Sequence, residues 1–288
     1  MTPFSVCHDI AKRNGSPLFL VSRLLGEKKR RLFLSAYAAM RVIDDLVDEN
    51  FLGSDALRRE TLRAQTLERI ERWRLQALEA TAGTFRPNEQ SFEPMIFSAL
   101  VETIGASDLG PWPWNAMAEA MSRDVREVEI LTWADFFAYC EGATVSPATI
   151  FAYILACEVR EGRYVLERPP DACRDQVRSM AIFCYLVHIA RDLAKDACKQ
   201  AQLITIPRDL LAGAGFRRET LCAGLNHKPS LAPVIRGLME QARTLLAPGL
   251  ESIHRLPLRP FERMILNRLL KKYIDLHAEL EADPLRYL

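Results

Sequence analysis

Apolar residues recur at three- and four-residue intervals along most of the chain, the spacing of one face of an α-helix. No clean alternation bounded by turn residues marks a strand. Proline and glycine interrupt the pattern at 14–17, Gly26, Gly53, 83–87, 105–113, 162–170, 213–215, 228–229 and 257–260. Between these breaks the spacing predicts helices over 28–50, 54–81, 90–104, 114–128, 133–160, 171–197, 232–246 and 261–282. Several exceed an average globular helix, and no linker separates two compositionally distinct halves. The expectation is one all-α domain over residues 1–288, a single large helical bundle.

Composition narrows the class. Hydrophobic residues make up 49% and charged residues 26% of 288, ample material for a packed core. Lys and Arg total 38 against 37 Asp and Glu, so no global field attracts nucleic acid, and any anion site must be built locally. The longest uncharged stretch, Gly142 to Cys157, is sixteen residues interrupted by Pro147. A span needs about 20 apolar residues, so this stretch reads as a buried core helix. The first sixteen residues hold no apolar leader core, and a cytoplasmic protein is expected. The seven cysteines are scattered without a CxxC pair, which argues against a disulfide framework or zinc site.

Two acidic stripes carry the candidate chemistry. In "SAYAAMRVIDDLVDEN", Asp44 and Asp48 lie four apart and share a helix face, with Arg41 three residues before Asp44. Asp45 projects about 100° away from that face. The neighbours are apolar or small, and carboxylates buried there need a cation. Mg²⁺ suits them, because it takes oxygen ligands and is commonly held by one or two carboxylates plus substrate phosphates. A solvated acidic helix end before Gly53 is the plainer alternative.

In "FCYLVHIARDLAKDACK", His188, Asp192 and Asp196 form the second stripe, flanked by Tyr185, Arg191, Lys195 and Lys199. The plainer alternative is surface pairing at i,i+4, which stabilises a helix only weakly. Zinc is disfavoured, since no further Cys or His stands at ligand spacing. The stripes are 148 residues apart on separate helices, each with an arginine. Facing each other across an apolar bundle, they would form a metal-bridged diphosphate site. Apolar walls would hold a hydrocarbon tail and shield a carbocation.

At this point the chain resembles the squalene/phytoene synthase family of head-to-head prenyltransferases, from about Cys7 to Asp209 and more weakly beyond. "AYAAMRVIDDLVDE" resembles its first aspartate-rich motif. "HIARDLAKDA" with "IPRDLL" resembles its second motif and the segment that follows. "SRDV" at 122–125 and "YC" at 139–140 look like its middle segment. The resemblance implies a class I isoprenoid-synthase fold with a central apolar cavity. It also implies Mg²⁺-dependent condensation of two prenyl diphosphates through a cyclopropyl diphosphate, quenched by hydride, proton loss or water. Carried over by position, Asp44, Asp48, Asp192 and Asp196 become metal ligands. Arg41 and Arg191 grip diphosphate oxygens, with Asp45 behind them. Asp124 and Tyr139 fall near the diphosphates, Tyr139 fitting a core aromatic equally well. Tyr273 in "KKYIDL" matches a C-terminal tyrosine.

The departures are specific. The family's Ser-x-Ser-Phe element reads Gly15, Ser16, Pro17, Leu18. Tyr185 and His188 stand where many members have Gln and Asn, and His188 replaces the Asn as metal ligand or hydrogen-bond donor. It is a softer partner for Mg²⁺. Lys195 replaces an acidic residue. "YCEGATVSPATIF" places Glu141 and Pro147 unusually, and the basic residue expected after the second motif is not obvious in "CKQAQLIT". Farnesyl diphosphate is favoured over geranylgeranyl diphosphate, because this short chain looks like bacterial squalene-type members. No glycine-rich dinucleotide loop follows a strand, yet squalene-type members use NADPH without one, so NADPH stays open. Two other readings remain: a terpene synthase acting on one prenyl diphosphate, and a silent family paralogue serving as scaffold. The product would be apolar, which predicts transient peripheral contact with the inner face of the membrane. "FERMILNRLLKKYIDLHAEL" is the amphipathic candidate, against an ordinary packed helix.

Overall fold

A computed structural model describes residues 1–13, 17–166 and 170–288, without the side chains of Pro17 and Pro170. Gly15 and Ser16 of the altered N-terminal element, and part of the break at 162–170, lie outside the described residues. Thirteen α-helices are found among those described. They are α1 (Pro3–Arg13), α2 (Pro17–Ser22), α3 (Glu27–Asp45), α4 (Ala56–Thr81), α5 (Pro94–Thr103), α6 (Trp112–Val125), α7 (Trp133–Cys140), α8 (Ser146–Ala156), α9 (Pro170–Lys199), α10 (Arg208–Gly213), α11 (Leu221–Gly224), α12 (Ala232–His254) and α13 (Pro260–Ala282). The expected all-α architecture is found.

Local chemistry explains the boundaries. Asp55 caps α4, its side chain accepting from the Arg58 N–H at 2.9 Å. Thr132 and Asp135 form a reciprocal capping box at the start of α7. A π-helical turn closes the α3 run at Leu46–Phe51, and a second at Glu141–Val145 joins α7 to α8. At the second, Gly142 crosses α6 so closely that a Cβ would be driven into the Ala116 carbonyl oxygen.

Two predicted helices need correction. The helix expected over 133–160 ends at Ala156, and Glu158–Arg160 pairs with Arg163–Val165 as a two-stranded antiparallel hairpin. Glu161 and Gly162, both at positive φ, make its two-residue turn. The helix expected over 232–246 runs on to His254 through Pro248. Its continuation is held by packing: Gly249 lies against Met180 of α9, and Ile253 is buried. Helix α9 packs along α12, with α8 and α13 also against it, while α3 contacts α1, α5 and α8.

Trp73 of α4 is fully buried, stacks edge-on against Trp114 of α6 at 6.0 Å, and donates from Nε1 to the Ala39 carbonyl at 2.8 Å. That bond pins α3 two residues before Arg41. No helix among the described residues is long and apolar enough to cross a membrane.

Candidate functional site

Between α3, α6, α8, α9, α12 and α13 lies a cavity of about 470 Å³. Its walls are mostly apolar and include Phe33, Met40, Met121, Phe151 and Leu269. Arg41, Asp44 and Tyr273 also line it and supply polar groups, as do Tyr37 and Lys272.

The first acidic stripe sits where α3 passes into the π turn at Leu46–Phe51. A π turn holds more residues than an α turn, so Asp44 and Asp48 are not related by the plain α-helical step that the sequence suggests. Arg41 spans both preceding carboxylates: Nη1 meets Asp44 Oδ2 at 2.9 Å, and Nη2 pairs with Asp45 Oδ1. Asp45 therefore backs the arginine and is not part of the cavity lining. The Arg41 Nε is buried without a partner. Burial pushes the Asp44 carboxyl up, and Arg41 only partly offsets it. Burial, with repulsion from Asp44, pushes Asp48 up to about 7.

A second layer backs this stripe. Asp124 on α6 accepts from the Tyr139 hydroxyl of α7 at 3.0 Å. Burial pushes Asp124 up to about 8, with the charges of Asp48 and Asp44 acting in the same direction. Tyr185 of α9 stacks on Phe136 at 6.0 Å and its hydroxyl lies 3.1 Å from Thr205 Oγ1. The structure thus brings Asp44, Asp48, Asp124, Tyr139 and Tyr185 together from five elements.

The second stripe is one hydrogen-bonded array on α9. Arg191 grips Asp192 through two bonds, Nε to Oδ1 and Nη2 to Oδ2, each 2.7 Å. His188 Nε2 lies 3.1 Å from Asp192 Oδ2, and its Nδ1 lies 3.2 Å from Arg191 Nη2. This fixes the tautomer: Nε2–H donates to the carboxylate and Nδ1 accepts from the guanidinium. Neither nitrogen offers a free lone pair in this arrangement. Burial raises Asp192, but the bonds from Arg191 and His188 outweigh it and hold the carboxyl well below the usual range. Asp196 is raised, by burial and then by the charge of Asp192. Tyr273 of α13 lines the cavity, and burial raises its hydroxyl, with the charges of Arg191 and Asp192 acting on it in opposite directions.

A clamp joins the two motif helices. Lys199 Nζ reaches both Glu49 oxygens, at 3.3 and 3.4 Å. Beside it, buried Arg59 donates to the Ser54 carbonyl at 2.6 Å, to Gln200 Oε1 at 3.3 Å and to Glu127 Oε1 at 3.1 Å. Sequence reasoning did not single out Glu49 or Arg59. Glu49 stood in the quoted motif, but only the π turn gives it its place. Tyr37 and Met40 were missed too, although their spacing to Arg41 on α3 was a usable signal.

Among the described residues, no three His, Cys, Asp or Glu side chains gather tightly enough to hold an ion alone. The carboxylates are nonetheless short of positive charge, since Asp44, Asp48, Asp124 and Asp196 are all raised. That deficit fits Mg²⁺ shared between carboxylates and the oxygens of a bound diphosphate.

Comparison with known proteins adds independent findings. The squalene/phytoene synthase family model matches residues 11–286. A 15-cis-phytoene synthase of Pantoea ananas is 28% identical over 238 residues, 83% of this chain and 70% of that protein. A solved dehydrosqualene synthase in complex with ligand superposes with a TM-score of 0.73 at 19% identity, covering 99% of this chain and 88% of that one. A squalene synthase from Alicyclobacillus acidocaldarius gives a TM-score of 0.69 at 20% identity, covering 98% and 94%. These two likenesses show the all-α isoprenoid-synthase fold.

Proposed function

The chain belongs to the squalene/phytoene synthase family, and on that premise we propose that it is a prenyltransferase joining two prenyl diphosphates head to head. The product is of squalene, dehydrosqualene or phytoene type, reached through a cyclopropyl diphosphate. The observation that carries this reading is the apolar cavity of about 470 Å³ with Arg41, Asp44 and Tyr273 in its wall. Its apolar surfaces suit hydrocarbon chains, and the charged groups suit a diphosphate.

Each group has a task. Arg41 and Arg191 bind diphosphate oxygens, Arg191 being oriented by its two bonds to Asp192. Asp44, Asp48, Asp192 and Asp196 would hold Mg²⁺, and when bound it supplies neutralisation of the departing diphosphate. His188 acts as the hydrogen-bond donor that fixes Asp192, a role its occupied nitrogens support over direct ligation. Phe33, Phe151 and the methionines exclude water from the allylic cation. Tyr139 orients Asp124 behind the first stripe. Farnesyl diphosphate is the favoured substrate.

The test is product analysis. Purified protein is incubated with Mg²⁺ and farnesyl or geranylgeranyl diphosphate, with and without NADPH, and extracts are identified by mass spectrometry. A hydrocarbon built from two prenyl chains, or its cyclopropyl diphosphate, is expected. A product containing one chain, or folded protein that releases no diphosphate from either substrate, overturns the reading.

A further inference from the structure

We infer that the face formed by α2, the turn after it and the first turn of α13 docks on an anionic lipid bilayer. The charge of the chain is unevenly placed. Residues 1–31 and 259–272 hold twelve Lys and Arg against three Asp and Glu, a net +9, while the remaining 243 residues are net −8. Arg31, Arg259 and Lys271 of these segments pair with Glu102, Glu158 and Asp275 outside them, so the uncompensated positive charge rests on the cations without acidic partners.

The two segments meet in space. Lys29 Nζ bridges Glu262 Oε1 at 3.0 Å and donates to the Leu155 carbonyl at 2.6 Å. Leu18 of α2 lines the same cavity as Leu266, Leu269 and Lys272 of α13. Their outer sides are apolar where water would favour polar groups. Leu20 is 61% exposed, Leu24 56%, Phe261 45% and Met264 55%. With Met1, these are five of the nine large apolar side chains most exposed among the described residues, in segments that make up 45 of 288 residues. Such concentration marks an interaction surface.

The cations on this face decide the partner. Arg23, Arg30 and Arg268 have no acidic partner among the described residues. Apolar side chains set among unpaired cations match the boundary of an anionic bilayer. Leucine and phenylalanine enter the acyl region, and the cations meet headgroup phosphates. Helix α13 is a packed helix, the plainer of the two readings of its sequence. It buries Ile265, Leu266, Leu270, His277 and Leu280, so its outward apolar face is confined to the first turn. Given the proposed activity, on which this consequence alone rests, prenyl chains pass between bilayer and cavity without crossing water.

The test is flotation of the full-length protein with vesicles of phosphatidylcholine, and of phosphatidylcholine with phosphatidylglycerol. Binding to the second kind only, weakened by added salt, is expected. Arg23→Ser should weaken it about fivefold, and Leu20→Ser with Leu24→Ser more than about tenfold. Melting curves check that each variant is folded, and Phe261→Ser with Met264→Ser serves as the second pair. None of these residues belongs to the proposed diphosphate site, so diphosphate release in detergent should stay at the parent level. Absence of flotation with phosphatidylglycerol vesicles, or equal flotation by parent and variants, overturns the inference. A protein that floats but makes no product leaves the docking face standing and sinks the enzymatic reading instead.

Discussion

Replacing Asp124 by asparagine should make the protein more stable and less active. The Asp124 carboxyl sits deep in the fold with its residue only partly exposed, and Tyr139 is its hydrogen-bond donor. Burial pushes its pKa up to about 8, against about 4 in an unfolded chain. A carboxyl with a higher folded pKa holds its proton more tightly when folded. Stability therefore falls as pH rises from about 4 towards 8, and this group adds no slope outside that window. Four pKa units at about 1.36 kcal/mol each set a ceiling near 5 kcal/mol. Water entry and local relaxation reduce this to on the order of 2 kcal/mol. In a 288-residue chain that corresponds to about 3 °C in melting temperature. Asp124→Asn keeps an oxygen to accept from Tyr139 and removes the charge. Melting curves in EDTA should show the variant about 3 °C above the parent near pH 8, the two converging near pH 4. Asp44 and Asp48 add slope of the same sign to both proteins, so the difference between the curves is the measured quantity. Diphosphate release should fall at the same time, the usual trade between a strained functional carboxylate and stability. A variant that melts below the parent at pH 8, or tracks it at every pH, refutes the reasoning.

Three other changes have defined outcomes. Asp192→Asn deprives Arg191 and His188 of their shared carboxylate, and diphosphate release should drop on the order of a hundredfold with the melting curve retained; unchanged turnover would remove Asp192 from the machinery. Gly142→Val forces a side chain into the α6 backbone, and the urea midpoint should report a loss of about 3 kcal/mol or more; a stable variant would mean that the crossing is looser than described. Cys198 and Cys222 are exposed with their sulfur atoms 2.9 Å apart. Oxidised glutathione should join them by exchange, itself being reduced to two thiols, and peptide mass mapping should find the linked pair in the parent and not in Cys222→Ser.

The sequence made local pairings readable and left remote ones dark. Arg41 with Asp44 and His188 with Asp192 follow from helical spacing, and both pairs meet as that spacing requires. The helices from 28 to 128 follow from apolar periodicity and clear breaks. The hairpin at Glu158–Val165 escaped because each strand has three residues and its turn is Glu-Gly, where Asn-Gly would have signalled it. The last turns of helix α12 are not legible because Pro248 and Gly249 interrupt the apolar pattern, while packing against α9 carries the helix past them. The Asp124 and Tyr139 bond joins residues on two helices, and their neighbourhood was reached through family resemblance alone. The Lys199 and Glu49 contact spans 150 positions, which no periodicity encodes. The cavity wall draws single residues from many helices, so its size cannot be read along the chain.

The two π turns make the spacing of this chain unforgiving. Each holds a surplus residue: at Glu141–Val145 it leaves α7 and α8 out of phase by about 100°, and at Leu46–Phe51 it turns Asp48 and the end of the run against α3. Losing one residue from Leu46–Phe51 or Glu141–Val145 would relax that turn to ordinary α-helix. Every side chain beyond it would then swing around its axis, although no functional group had been altered. Short deletions in these two windows should be rare in active descendants of this chain. Libraries that vary side chains there at constant length should retain folded members far more often than libraries that vary length.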